Sequence, residues 1–154
     1  MTKRQDRAAR ARSVARKFVL QALYQRQLAA HDFSELRKQY RAEEGFDDAD
    51  PEYFDELLRG VTESMNDLDT RLAALIDRPV ERLDPIERAV LWIGLYELGS
   101  RLEVPYRVVI NEGVELAKRF GATEGHKFVN AVLDRAAREL RAEEQAAQRT
   151  PASH

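Results

Sequence analysis

Apolar residues recur at helical spacing along most of this chain. From residue 7 to residue 30 there is no Gly or Pro, and Ala, Arg, Gln and Leu predominate, which is typical of a helix. One face of this predicted helix carries six apolar residues: Ala11, Ala15, Phe18, Val19, Ala22 and Leu23. The opposite face carries Leu20, Tyr24 and Leu28. A helix that is apolar on two sides is either central in its fold or shared with a partner.

Six further helices are predicted from the same spacing and from the residues at their ends. They begin at Phe33, at Asp50-Pro51, at Asn66 or Asp69, at Asp84-Pro85, at Pro105 and at the cap Thr123. The helix from Asp84 is almost wholly apolar up to its end at Gly99, which is typical of a core helix. Because no segment alternates as a strand does, we predict an all-α fold of about seven helices in two packed helical bundles.

The composition is that of one soluble globular domain. The chain has 154 residues, 44% hydrophobic and 34% charged, with a formal net charge of −2 and no cysteine, so thiol chemistry and disulfides are excluded. We predict a single domain over residues 1–143 and a flexible tail over residues 144–154. The longest charge-free apolar stretch, Ala89 to Tyr96, is too short to span a bilayer, and we expect a cytoplasmic protein.

The near-neutral net charge conceals a strong separation. Residues 1–17 hold seven basic residues and one acidic residue, a net charge of +6, which leaves −8 for the rest of the chain. This asymmetry indicates contact with a polyanion, although charge alone slightly favours a solubilising or disordered tail. The polyanion interpretation gains support because the basic run enters the first helix, where Arg12 and Arg16 are one turn apart and project from the same side.

The sequence offers little material for catalysis. The three histidines are scattered, and there is no glycine-rich phosphate loop. Glu112 and Glu115 share a helix face and are compatible with an acid–base pair or a cation site. Exposed charges, with Glu115 paired to Lys118 or Arg119, are the simpler interpretation. We therefore predict no enzymatic activity, no metal and no cofactor.

The turn from Gly121 to Lys127 carries two possible roles. Free backbone amides at a helix N-terminus, together with Lys127, can hold a phosphate. The negative charge of Glu124 competes with a phosphate for the same positive potential, which favours an ordinary capped turn. Phe120 and Phe128 flank the turn, and either can stack a base, although core packing is the more common role.

Several longer motifs resemble one known family. They are ARKFVLQALYQ at 15–25, ELLRGV at 56–61, ERAVLWIGLYEL at 87–98, VPY at 104–106, VINEGVELAKRFG at 109–121 and KFVNAVLD at 127–134. In order and without large gaps over residues 7–140, they resemble the NusB family of bacterial transcription antitermination factors.

The resemblance implies an all-helical, non-enzymatic RNA-binding protein. NusB proteins pair with NusE, a small-subunit ribosomal protein, and the pair binds the single-stranded boxA element of nascent ribosomal RNA leaders. With NusA and NusG it modifies RNA polymerase so that it resists termination. The RNA-binding residues that the resemblance implies are Arg10, Arg12, Arg16, Glu124, Lys127 and Phe128, and the implied NusE-binding residues are Tyr24 and Glu87.

Two departures and two alternatives accompany this interpretation. Ser13 stands where family members often carry arginine, and Trp92 replaces a frequent arginine, so Trp92 is either structural or stacks a base. One alternative is the NusB-like module of a ribosomal RNA cytosine methyltransferase, against which the length and the missing glycine-rich cofactor loop both count. The other is a helical protein-binding adaptor whose basic end only aids solubility.

Overall fold

The protein is built from helices throughout residues 2–149, which are the residues that the computed structural model describes. The α-helices are α1 Lys3–Leu28, α2 Phe33–Arg41, α3 Pro51–Leu75, α4 Pro85–Ser100, α5 Tyr106–Phe120, α6 Gly125–Leu140 and α7 Ala142–Arg149. Two 3₁₀ turns lie at Phe46–Asp48 and Val80–Arg82. The all-α prediction is confirmed. No helix in this part of the chain is both long enough and apolar enough to cross a membrane.

Two groups of helices share one core. Helix α1 packs on α2 and α3 in the first group, and α4, α5 and α6 pack on one another in the second. Helix α4 also contacts both α1 and α3, so it joins the groups. It can do so because it is apolar on all sides, with buried residues that include Val90, Leu91, Ile93, Leu95 and Leu98.

Helix α1 has the two faces that its sequence predicts, with one change. The predicted inner face is buried from Ala15 to Leu23, and Leu20, which was predicted on the opposite face, is fully buried as well. The side chains of Tyr24 and Leu28 are 36% and 64% exposed. An unpartnered apolar patch therefore remains near the carboxyl end of α1.

Three helix boundaries differ from prediction. The two helices predicted on either side of Asn66 form one continuous helix, α3. Asp69, predicted as a possible cap, lies within this helix and accepts hydrogen bonds from Arg88 and Trp92 of α4. Helix α1 begins at Lys3, earlier than predicted, behind a capping box formed by Thr2 and Gln5. Thr123 is not the cap of α6: that position is held by Glu124, which forms no side-chain cap.

The predicted flexible tail is helical as far as it is described. Arg141 is buried, and its guanidinium donates to the carbonyls of Leu98, Glu97 and Arg101 at 2.8, 3.1 and 3.1 Å, around the carboxyl end of α4. Arg141 also pairs with Glu144 at 2.6 Å, which holds the start of α7 against the core. Residues 150–154 of the predicted tail lie outside the described residues.

Candidate nucleic-acid and protein interface

The three arginines predicted to bind RNA on α1 lie in three different environments. Arg10 is exposed to solvent. Arg12 is partly buried, and its guanidinium carbon lies 4.3 Å from the centroid of the Tyr53 ring. Arg16 is only 2% exposed. Arg12 and Arg16 do share a side of the helix, on which Arg16 is enclosed by the protein and Arg12 keeps part of its surface in solvent.

A buried ion-pair network occupies Arg16. Its Nε and Nη2 donate to the Glu97 carboxylate at 3.0 and 2.9 Å, and its Nη1 donates to Glu112 at 2.9 Å. The Tyr53 hydroxyl donates to the same Glu97 carboxylate. Burial alone lowers the pKa of Arg16, but the charge and hydrogen bonds of Glu97 outweigh it and raise that pKa overall. Burial, and then the charge of Glu97, raise the pKa of the Tyr53 hydroxyl.

This network gives Arg16 a structural role that sequence reasoning missed. Its guanidinium is enclosed by the protein and engaged with two carboxylates, and it joins α1 to α4 and α5. The contact of Arg16 with RNA stays a prediction. The Ser13 hydroxyl donates to Glu112 in the same region. Ser13, which stands where family members often carry arginine, therefore faces α5.

The acidic pair on α5 is engaged in ion pairs. Glu112 accepts from Arg16 and Ser13, and Glu115 lies 3.6 Å from Lys118, as the helical spacing predicts. Within residues 2–149, no cluster of three His, Asp or Glu side chains has the arrangement of a metal site. The arrangement thus provides charge balance between α1 and α5.

Trp92 is a structural residue. Its indole ring is buried, and its N–H donates to Asp69 of α3 at 2.7 Å. Arg88 pairs with the other oxygen of Asp69 at 2.8 Å and lies over the indole ring at 5.0 Å. A buried ring cannot stack a base, so the second of the two predicted roles for Trp92 is wrong.

The turn between α5 and α6 brings three predicted residues together. Glu124 has a φ of 73°, which an L side chain rarely adopts, and its carboxylate lies 2.5 Å from the Lys127 ammonium. Phe128 is partly buried, one residue further along α6. The guanidinium of Arg78 lies 4.5 Å from the centroid of the Phe128 ring. Sequence reasoning missed Arg78 because it stands 50 residues from Phe128 in a segment without a motif.

Glu87 also belongs to this end of the molecule. It is 8% exposed in the first turn of α4, and its carboxylate occupies the space that a Cβ at Gly125 would need. Burial raises the pKa of Glu87, and the charge of Asp84 adds to this, while the positive charge of Arg78 opposes it. Glu87 therefore supports the start of α6 and offers little of its own surface to a partner.

An open apolar groove lies beside the exposed face of α1. Its volume is about 500 Å³, and its lining includes Leu20, Tyr24, Leu28, Tyr40, Ile86 and Phe120. Ile86 precedes Glu87 in α4, so the two residues predicted to bind a partner lie at the same end of the protein. Only Tyr24 of that pair is substantially exposed.

The predicted RNA-binding residues do not form one cluster. Two contacts show that helices α1 and α4 run in opposite directions. Arg16, in the middle of α1, contacts Glu97 near the end of α4, and the Gln27 side chain at the end of α1 donates to the Pro85 carbonyl at the start of α4 at 2.8 Å. At about 1.5 Å per residue, the ten residues from Glu87 to Glu97 span roughly 15 Å. Arg10 and Arg12 thus lie at one end of the α1–α4 pair, and the turn with Lys127 and Phe128 lies towards the other.

Comparison with known proteins gives the family. Residues 13–138 match the NusB family. The chain belongs to the NusB family. The transcription antitermination protein NusB of Marinomonas sp. (strain MWYL1) is 54% identical over 140 residues, which are 90% of this chain and 80% of that protein. The NusB of Alcanivorax borkumensis is 51% identical over 141 residues, covering 92% of this chain and 93% of that protein.

Solved structures of NusB proteins share the architecture. The T. maritima NusB structure superposes with a TM-score of 0.80 at 30% identity, covering 88% of this chain and 96% of that chain. A crystal structure of the antitermination factors NusB and NusE in complex with double-stranded RNA has a TM-score of 0.71 at 27% identity, covering 82% of this chain and 96% of that chain.

Proposed function

We propose that this protein is a transcription antitermination factor that binds boxA RNA together with NusE. In this proposal it acts in the cytoplasm, where bacterial transcription takes place, and it joins NusA and NusG on RNA polymerase. Membership of the NusB family supports the proposal, as does the related NusB structure that holds both NusE and RNA. The protein acts by binding rather than by catalysis.

The observation that carries the proposal is the division of one helix into two unlike surfaces. The amino-terminal part of α1 is exposed and strongly basic, whereas its carboxyl end presents Tyr24 beside an apolar groove. Phosphates suit the first surface because Lys and Arg neutralise them. A folded protein suits the second, because partly exposed aromatic residues beside apolar pockets are typical interface anchors.

We assign RNA contacts to Arg10, Arg12, Lys127 and Phe128, with Glu124 orienting Lys127 through their ion pair. Phe128 is suited to stacking a base from the surface that it shares with Arg78. Tyr24 is assigned to NusE, and Glu87 supports that surface from beneath. The RNA-binding unit in this proposal is the domain over residues 1–143.

The test is the affinity for a boxA RNA and for a scrambled RNA, with and without NusE, over a series of salt concentrations. We expect tighter and sequence-dependent binding with NusE, and a logarithmic salt slope of about −0.7 for each neutralised phosphate. The double variant Arg10→Ala/Arg12→Ala should reduce the size of that slope by about 1.4, the sum for two phosphate contacts.

The matched control is Lys38→Ala/Arg138→Ala, which removes two exposed positive charges from α2 and α6. It should leave the salt slope unchanged. If the wild-type protein binds both RNAs equally weakly under every condition, the antitermination proposal fails, and the helical adaptor becomes the better explanation.

A further inference from the structure

One side of α1 carries a row of cations that is exposed at its start, is partly buried at Lys17 and continues towards the apolar groove. Lys3, Arg7, Arg10 and Lys17 are separated by four, three and seven residues, so they lie on one face of the helix. The row spans roughly 21 Å at about 1.5 Å per residue. Further along the same face, at the same spacing, lies Tyr24.

A second groove runs beside this row, between α1 and α5. Its volume is about 440 Å³, and its lining includes the partly buried Val14 and the buried Leu116. Lys17 of α1 and Lys118 and Arg119 of α5 also line it. Helix α5 runs alongside α1 here, since Glu112 contacts Ser13 and Arg16 while Phe120, eight residues later, lines the groove beside Tyr24.

The acidic residues of this second groove are already engaged. Glu112 accepts from Arg16 and Ser13, and Glu115 pairs with Lys118. Lys17 and Arg119, in contrast, have no carboxylate oxygen within 4 Å in the described part of the chain. Their cationic groups lie instead over the rings of the neighbouring Phe18 and Phe120, at 4.4 and 4.9 Å. These two charges are therefore available to an anionic ligand.

We propose that an RNA strand lies along this groove, with its phosphates on Lys17 and Arg119. The inference rests on the proposed RNA-binding function and extends it. The groove lies between the basic start of α1 and the end of α5, from which the chain turns into the segment with Lys127. It thus provides a path between the two separated ends that the predicted RNA-binding residues occupy. Cations from both helices line this groove, which suits a phosphate backbone that runs along it.

The experiment compares Lys17→Ala/Arg119→Ala with the wild-type protein and with the charge-matched control Lys38→Ala/Arg138→Ala. The probe is a boxA RNA with single-stranded flanks, bound in the presence of NusE over a salt series. We expect the variant to reduce the size of the salt slope by about 1.4. The ratio of wild-type to variant affinity should therefore be roughly 25-fold greater at 0.1 M salt than at 1 M salt. NusE binding without RNA should not change.

A shorter RNA sharpens the test. An oligonucleotide that covers only one end of the path should be bound almost equally by the variant and by the wild type. Should the alanine pair unfold, Lys17→Gln/Arg119→Gln retains long polar side chains without the charges and takes its place.

The inference is overturned if the Lys17/Arg119 variant keeps the wild-type salt slope on the long RNA while Arg10→Ala/Arg12→Ala reduces it. If neither pair of substitutions changes the slope, the proposed RNA-binding function itself fails. The two failures are therefore distinguishable in one set of titrations.

Discussion

Replacing Arg16 by methionine should destabilise the fold strongly rather than remove an RNA contact. The substitution leaves the Glu97 carboxylate with the Tyr53 hydroxyl but without its positive partner, in a site where the side chain of Glu97 is only 1% exposed. Removing one partner of a buried pair typically costs about 3–5 kcal/mol, because an uncompensated charge remains buried. Solvent screens this pair little, since the Arg16 side chain is itself only 3% exposed.

Urea unfolding, followed by far-ultraviolet circular dichroism, measures this loss. With a slope of about 2 kcal/mol per molar urea, a loss of about 4 kcal/mol lowers the unfolding midpoint by about 2 M. The double variant Arg16→Met/Glu97→Gln should recover much of the loss, because the amide is neutral and its oxygen still accepts from the Tyr53 hydroxyl.

Arg12→Met is the matched control for the Arg16 substitution. Arg12 lies over the Tyr53 ring and forms no ion pair within residues 2–149, so its removal should cost only about 0.5–1 kcal/mol. A free energy of unfolding for Arg16→Met within 1 kcal/mol of the wild-type value would contradict the stabilising role of the Arg16–Glu97 pair. If Arg16→Met keeps the wild-type stability and loses RNA affinity, Arg16 contacts RNA as the family resemblance implies.

Two further predictions concern Tyr24 and Glu87. Tyr24→Ala should weaken NusE binding by about tenfold or more, the effect of an interface anchor worth at least about 1.4 kcal/mol, without lowering stability substantially. Calorimetric titration measures this, and Leu102→Ala, which removes another exposed apolar side chain, is the control; an unchanged affinity for Tyr24→Ala rejects its assignment. For Glu87, the folded-state pKa is raised above its ordinary 4.5, so its favourable contribution is present at low pH and is lost as the pH rises through the raised pKa. Glu87→Gln should therefore gain stability relative to the wild type between pH 4 and pH 7 in urea unfolding, and a relative loss over that range would contradict the raised pKa.

Local information in the sequence determined most of the helices. Proline, glycine and acidic caps act within one turn, and the apolar spacing repeats every turn, so α4 and the buried face of α1 could be predicted without knowledge of their neighbours. The same periodicity placed Tyr24 on the second apolar face of α1, where its side chain is partly exposed.

Tertiary contacts decided which polar residues are available for function. Arg12 and Arg16 carry the same signal in the sequence, but Arg16 pairs with Glu97, 81 residues away, whereas Arg12 lies over the ring of Tyr53. Asp69 resembles a helix cap in the sequence, but in the folded protein its carboxylate accepts hydrogen bonds from Trp92 and Arg88. The pairing of Arg78 with Phe128 likewise depends on how separate elements pack.

The sequence by itself thus determined the helical fold, its core and the concentration of positive charge at one end. The tertiary structure decided which of those charges face the solvent, and it separated the predicted RNA-binding residues into two ends with a groove between them. The physical reason is that helix formation depends on neighbours within a few residues, whereas the burial and pairing of a charge depend on groups that only folding brings within hydrogen-bonding distance.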